Sequence, residues 1–204
     1  MALGKDGILS ILSAALILGI SGCQVMVPQG SQGTQTPEAI QPSTPEAAAE
    51  IGGQGDLLRQ WASEAEASSE YTTEEWGAAQ ATGPPDSPGC GDYQFAWASA
   101  ASDSIATLTL QYVTAVYPTE ITIIESFNPD QVVKVEVQTL EGDFQVVYES
   151  EPTQVDRPCP YSLTVPVTEF GELVDGLRIT VDQSQLGLGW NEIDAVQLIG
   201  RTGE

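Results

Sequence analysis

Two acidic residues in the last apolar run of the chain, Glu192 and Asp194, pose its sharpest chemical question. In Glu192-Ile193-Asp194-Ala195-Val196-Gln197-Leu198-Ile199, period-two strand alternation puts both on the face of Val196 and Leu198. If that face is the core, two carboxylates point inward at one end of the domain, and a buried carboxylate needs a partner. Histidine is absent, and beyond residue 22 the only cations are Arg59, Lys134, Arg157, Arg178 and Arg201, so a bound cation is one solution. The other is that Glu192 accepts backbone N–H groups or pairs with an arginine while Asp194 faces solvent. Glu125 ends another apolar run, just before Ser126-Phe127-Asn128-Pro129. There it could join Asn128 in a polar ligand pocket at the rim, or satisfy loop amides while Asn128 opens an Asn-Pro turn. Two carboxylates about 5 to 10 Å apart across a cleft would suit a glycoside hydrolase, and Glu125 with Glu192 is the pair to test for it. Trp76 and Trp190 lie in loops, the latter behind Gly187-Leu188-Gly189, and offer flat faces on which a sugar could stack. A buried tryptophan anchoring its loop is the alternative for each, and Trp61 and Trp97 read as packed.

The rest of the composition removes whole classes of function. Without histidine there is no Ser-His-Asp or Cys-His arrangement and no zinc hydrolase site of the usual kind. The net charge is −23, and loss of residues 1–22, which hold Lys5 and Asp6, leaves it unchanged. Such a chain is repelled by phosphate backbones, so no nucleic acid partner is expected. A noncatalytic role is expected, with the carboxylate-based hydrolase as the enzymatic alternative.

At the N-terminus, Lys5 precedes an apolar stretch from Ile8 to Ile20, too short to span a bilayer stably, and two small residues lead into Cys23. This is the form of an export signal over residues 1–22. The run Ile20-Ser21-Gly22-Cys23 resembles the lipobox of bacterial lipoproteins, which implies lipidation of Cys23 and a membrane anchor at the bacterial cell surface or the periplasmic face. Cys90 and Cys159, the two remaining cysteines, then read as one disulfide of an exported protein. Residues 23–56 are rich in Gln, Pro, Thr, Ser, Gly and Ala, with Pro28, Pro37, Pro42 and Pro45 spaced through them, and are expected to form a disordered stalk reaching about 30 Å.

The elements that must position the candidate residues begin near Leu57. Runs rich in β-branched residues at 105–112, 120–125, 132–137, 144–148, 161–167, 177–181 and 192–199 alternate as strands do, with turn signals such as Glu141-Gly142-Asp143 between them. Leu57 to Glu70 reads either as a helix or as an opening strand with Trp61, Ser63, Ala65 and Ala67 inward. About eight short strands without a convincing interior helix predict an all-β antiparallel sandwich over residues 57–204.

The segments 116–129, 132–135 and 191–200, with Gln60-Trp61-Ala62, 67–71 and 78–86, resemble galactose-binding-like (discoidin, F5/8 type C-like) jelly-roll domains. The similarity extends to a β-domain of the pappalysins and to the N-terminal domain of a mitochondrial F-box leucine-rich-repeat protein. It implies a jelly roll and a binding or adhesion module, with glycan as the first ligand class and a protein-interaction or scaffold module as the alternative. It also implies a structural calcium held by Glu192, with Asp86 and the Asn191 carbonyl beside it. The alternative for Asp86 is that it merely shapes its Pro-Pro turn.

Overall fold

The computed structural model describes residues 55–203. The expectations for the export signal, for Cys23 and for most of the stalk lie outside the described residues. Eight strands form: β1 Leu57–Trp61, β2 Glu64–Ala67, β3 Ile105–Phe127, β4 Val132–Thr139, β5 Phe144–Glu149, β6 Tyr161–Pro166, β7 Val174–Asp182 and β8 Glu192–Thr202. All of their pairings are antiparallel. The one helical turn among the described residues is a 3₁₀ segment at Ala78–Ala81.

The two runs expected as separate strands at 105–112 and 120–125 are one 23-residue strand. β3 is shared: its first half lies between β2 and β7, and its second half between β8 and β6. The remaining order runs β1-β8-β3-β7-β4-β5. Leu108 and Leu110 from the first half of β3 meet Ile121 and Ile123 from the second half in one core with Val135, Val137, Leu177, Ile179, Val196 and Leu198. Burying two apolar faces against each other is what makes this topology a sandwich.

One irregularity in β3 sets where Glu125 goes. Ala106, Leu108, Leu110 and Tyr112 are buried, then Val116; beyond Pro118 the buried set becomes Ile121, Ile123 and Glu125. The even-numbered face has given way to the odd-numbered one. The pairing with β8 slips by a residue between Pro118 and Glu120, and a one-residue bulge turns every later side chain to the opposite face.

The opening segment resolves in favour of strand. β1 pairs with β8 and β2 with β3, so sheet hydrogen bonds override the helical preference of Ala and Glu. Ala65 and Ala67 pack on the core as expected, but Ser63 is exposed and Ala62 takes the buried place between the two strands.

Candidate functional site

Three connections converge at the end of the sandwich where β8 begins. The first, after β2, carries Tyr71 and Trp76. Trp76 has φ of 54°, a left-handed conformation that is unusual for a bulky side chain. It is held there from both sides: its N–H donates to the Gln94 carbonyl at 3.1 Å, and its carbonyl accepts from Ala98 N at 3.1 Å. Gly77 behind it has no room for a side chain, since a Cβ would lie 2.5 Å from the Thr73 carbonyl oxygen. Backbone held in so sparsely populated a region concentrates at functional sites.

The second connection, residues 82–104, carries Asp92. Cys90 is bonded to Cys159, with the Cα atoms 5.9 Å apart, which confirms the expected disulfide. Gly91 N donates to the Ser126 carbonyl at 2.8 Å, Tyr93 N to Glu192 Oε2 at 3.0 Å, and Trp97 pairs with Ile193 as an isolated bridge. The third connection, between β7 and β8, carries Trp190. Asn128 Nδ2 donates to the carbonyls of Leu188 and Trp190 at 2.7 and 3.0 Å, and the Trp190 indole N–H donates to the Ser99 carbonyl at 3.0 Å.

Tyr71, Trp76, Asp92, Ala98, Trp190 and Glu192 thereby enclose an open cleft of about 110 Å³. This is several times the roughly 10–15 Å³ that one water needs by the same measure. The Tyr71 ring lies edge-on to both indoles, with centroids at 5.5 Å from Trp76 and 5.6 Å from Trp190, making one continuous aromatic surface. Tyr71 is 52 % exposed, Trp76 and Trp190 are half-buried and Asp92 is exposed, so the cleft faces solvent. Trp76 Nε1 donates to Asp92 Oδ1 at 3.1 Å, which fixes that carboxylate against the indole.

Glu192 lines the cleft from below. Its carboxyl is pushed up to about 7, chiefly by burial; the Tyr93 N–H lowers it in part, and the neighbouring Asp92 carboxylate raises it again. Ser126 Oγ also donates to it at 3.1 Å. Asp194 is buried too, and accepts from Ser87 N and Ser87 Oγ at 3.2 and 3.0 Å. Both carboxylates are thus satisfied by loop donors, but they do not share the face of Val196 and Leu198. The pairing passes from Ile124↔Ala195 to Glu125↔Ile193 and skips Asp194, so Ile193 enters the core and Glu192 and Asp194 turn toward the loop.

Asp86 and Asn191, expected beside Glu192 as calcium ligands, make other contacts. Asp86 is exposed and its backbone N–H, not its carboxylate, approaches Asp194. Asn191 sends its Nδ2 to Glu125 Oε1 at 2.6 Å and to the Asn128 carbonyl, while its own N–H donates to Gln183 Oε1. The acidic neighbour of Glu192 is Asp92. Among the described residues no three acidic or cysteine side chains come together as a metal centre.

Glu125 and Asn128 do not join the tryptophans as ligand groups. Glu125 is 1 % exposed, and burial, offset in part by Asn191 and by Arg157, raises its carboxyl to about 7. Asn128 positions the Trp190 loop instead. A larger depression of about 460 Å³ lies beyond Asn128, between Phe127, Asp130, Arg157 and Tyr161, but its cation, Arg157, is already paired with Asp130 at 2.5 Å. Little in the sequence marks Tyr71 and Asp92. Their only signals are the nearness of Tyr71 to Trp76 and of Asp92 to Cys90.

A family profile described as "Pappalysin-1, SD scarf domain, C-terminal" matches residues 51–204. A search of characterised proteins finds no match. Among solved structures, chitosan-binding module 1 of a chitosanase/glucanase from Paenibacillus sp. IK-5 is similar at 12 % identity and a TM-score of 0.50, over 67 % of this chain and 92 % of that one. An F5/8 type C domain from Bacteroides fragilis is similar at 10 % identity and a TM-score of 0.51, over 71 % and 97 %. XRCC1, in a structure bound to the catalytic domain of DNA polymerase β, has 13 % identity and a TM-score of 0.51, over 70 % and 99 %. These likenesses establish the galactose-binding-like fold.

Proposed function

Because the chain belongs to the pappalysin-1 SD scarf domain family and carries one galactose-binding-like sandwich, we propose that it is a noncatalytic glycan-binding module. The ligand seats in the cleft of Tyr71, Trp76 and Trp190. The observation that carries this reading is that aromatic side chains from two connections meet a carboxylate from a third in one solvent-facing cleft. Aromatic faces match the C–H faces of a pyranose ring and the carboxylates match its hydroxyl donors. The chitosan-binding module of the same fold lends support at the level of ligand class.

The glycoside hydrolase alternative gains nothing from the geometry, since Glu125 is not among the walls of the cleft that Glu192 lines. The protein-interaction alternative is favoured by XRCC1, whose domain of this fold is seen bound to a polymerase. A glycan array separates the two. The full chain is expected to bind a defined set of sugars, and Tyr71→Ala and Trp190→Ala are expected to weaken that binding about 10-fold or more, as loss of an aromatic anchor does. Tyr71 is half exposed and its removal leaves the core intact, so an unchanged melting curve with lost binding assigns the site. Wild-type protein that ignores every glycan but captures a partner protein through the same residues would replace this reading with the second.

The module works from a membrane in this proposal, through a lipid on Cys23 at the end of the stalk. Cys23→Ser is expected to abolish fatty-acid labelling and to shift the protein from the membrane fraction to the soluble one or leave it unprocessed. Equal labelling of mutant and wild type would remove the anchor from the proposal.

A further inference from the structure

The polar lining of the aromatic cleft has one sign and one hydrogen-bonding character. Asp92 and Glu192 are its ionisable carboxyl groups, and none of the described cationic side chains is among its walls. Both indole N–H groups are already committed, Trp76 to Asp92 and Trp190 to the Ser99 carbonyl. Apart from the Tyr71 hydroxyl, and the Glu192 carboxyl while it holds its proton, the side chains of the cleft therefore present acceptors, which leaves few donors for the ring and acetal oxygens of a neutral sugar. An ammonium group has the opposite inventory, with three donors and no acceptor. It is attracted by the carboxylates, by the faces of the aromatic rings and by the net charge of the chain, −23. The carboxylates also sit on firm supports. Asp92 is tied to Trp76 and lies two residues from the disulfide, and Glu192 opens β8 under the Tyr93 N–H.

We propose that the sugar held in this cleft carries a free, protonated amine, as a 2-amino-2-deoxy hexose does. Its ring lies on the aromatic surface and its ammonium sits between Asp92 and Glu192. This rests on the glycan-binding reading and narrows it to unacetylated amino sugars.

The test is calorimetry of the full chain, in chelator, with three oligosaccharides of equal length: glucosamine, N-acetylglucosamine and a neutral galactose oligomer. The glucosamine oligomer is expected to bind about 10-fold or more tightly than either of the others, because a charge-assisted hydrogen bond is lost with the amine's charge. Asp92→Asn keeps an acceptor for the Trp76 indole and removes the charge, and is expected to abolish that preference. Tyr71→Ala should weaken binding of the amino sugar itself. Equal binding of all three, or a preference untouched by Asp92→Asn, overturns the inference and leaves the glycan-binding reading standing. No binding of any of the three, with none on a wider array, overturns both. A linear polyamine that binds as tightly as the amino sugar and is indifferent to Tyr71→Ala would show diffuse attraction to an acidic surface, and would equally overturn it. So would calcium, if it occupied the Asp92–Glu192 pair at millimolar concentration and excluded the sugar.

Discussion

Reduction of the Cys90–Cys159 bond, or the double replacement Cys90→Ala with Cys159→Ala, is expected to lower the unfolding free energy by about 4 kcal/mol. The bond joins residues 69 apart in sequence. In the chain-entropy account, opening so long a loop returns about that much to the unfolded ensemble. In a domain of this size each kcal/mol corresponds to roughly 2–4 °C of melting temperature, so the expected fall is on the order of 10 °C. The site should feel the loss before the fold does. The bridge ties the segment that carries Asp92 to the start of β6, and without it the stretch around Asp92 is held by single hydrogen bonds, among them those of Gly91, Tyr93 and Trp97 and the Trp76 indole contact. Ligand affinity should therefore weaken in the double mutant at temperatures where circular dichroism still reports a folded sandwich. A denaturant midpoint that is the same with intact bond and with two free thiols, quantified by titration, would contradict the expectation.

The second large effect is a loss of stability as pH rises. Glu125 has its carboxyl raised from 4.5 to about 7, first because it is buried; the Asn191 hydrogen bond and Arg157 pull it partly back, and Asp130 opposes them. The folded state thus holds this proton more tightly than the unfolded one. Below about pH 4.5 both states are protonated and the group contributes nothing. Between about 4.5 and 7 the folded state binds more protons and stability falls, and above about 7 the full cost of an ionised, buried carboxylate is present. At 1.36 kcal/mol per pH unit that cost is on the order of 3 kcal/mol. Glu192 acts in the same direction. Glu136 opposes it at the acid end, because the two-pronged Arg178 contact holds its carboxyl low and that contribution is lost as pH falls through its folded value. The melting temperature is therefore expected to peak near pH 5 and to be several degrees lower at pH 8. Glu125→Gln keeps an acceptor for Asn191 Nδ2, cannot ionise, and should raise the melting temperature at pH 8 while changing little at pH 4.5. A wild type as stable at pH 8 as at pH 5, with no gain from Glu125→Gln, would mean that Arg157 compensates the charge in full.

The strands and the crosslink were legible in the residues themselves. β-Branched alternation is a local property, and seven runs with turn residues between them could hardly pair as anything but antiparallel sheet. An even pair of cysteines beyond the expected export signal leaves one intramolecular partner for each. Where the alternation was extrapolated across an irregularity, it misplaced side chains. Period-two spacing puts Glu192 and Asp194 on the face of Val196 and Leu198, but the skipped residue at Asp194 turns them to the loop side. A bulge depends on how two strands meet, and neither strand encodes it alone.

The cleft belongs wholly to the tertiary structure. Trp76 and Trp190 could be picked out as loop tryptophans, yet nothing in their spacing of over a hundred residues says that one tyrosine touches both. Asp92 displaced Asp86 as the neighbour of Glu192 because the disulfide, the Gly91–Ser126 bond and the Trp97–Ile193 bridge together set how the loop crosses the start of β8. Composition alone determined what this protein cannot do with a histidine or bind with a basic surface, and local pattern determined its architecture. Which carboxylate faces which indole was decided only when three connections were closed over one end of the sandwich, because long-range contacts between loops leave no periodicity in the chain to read.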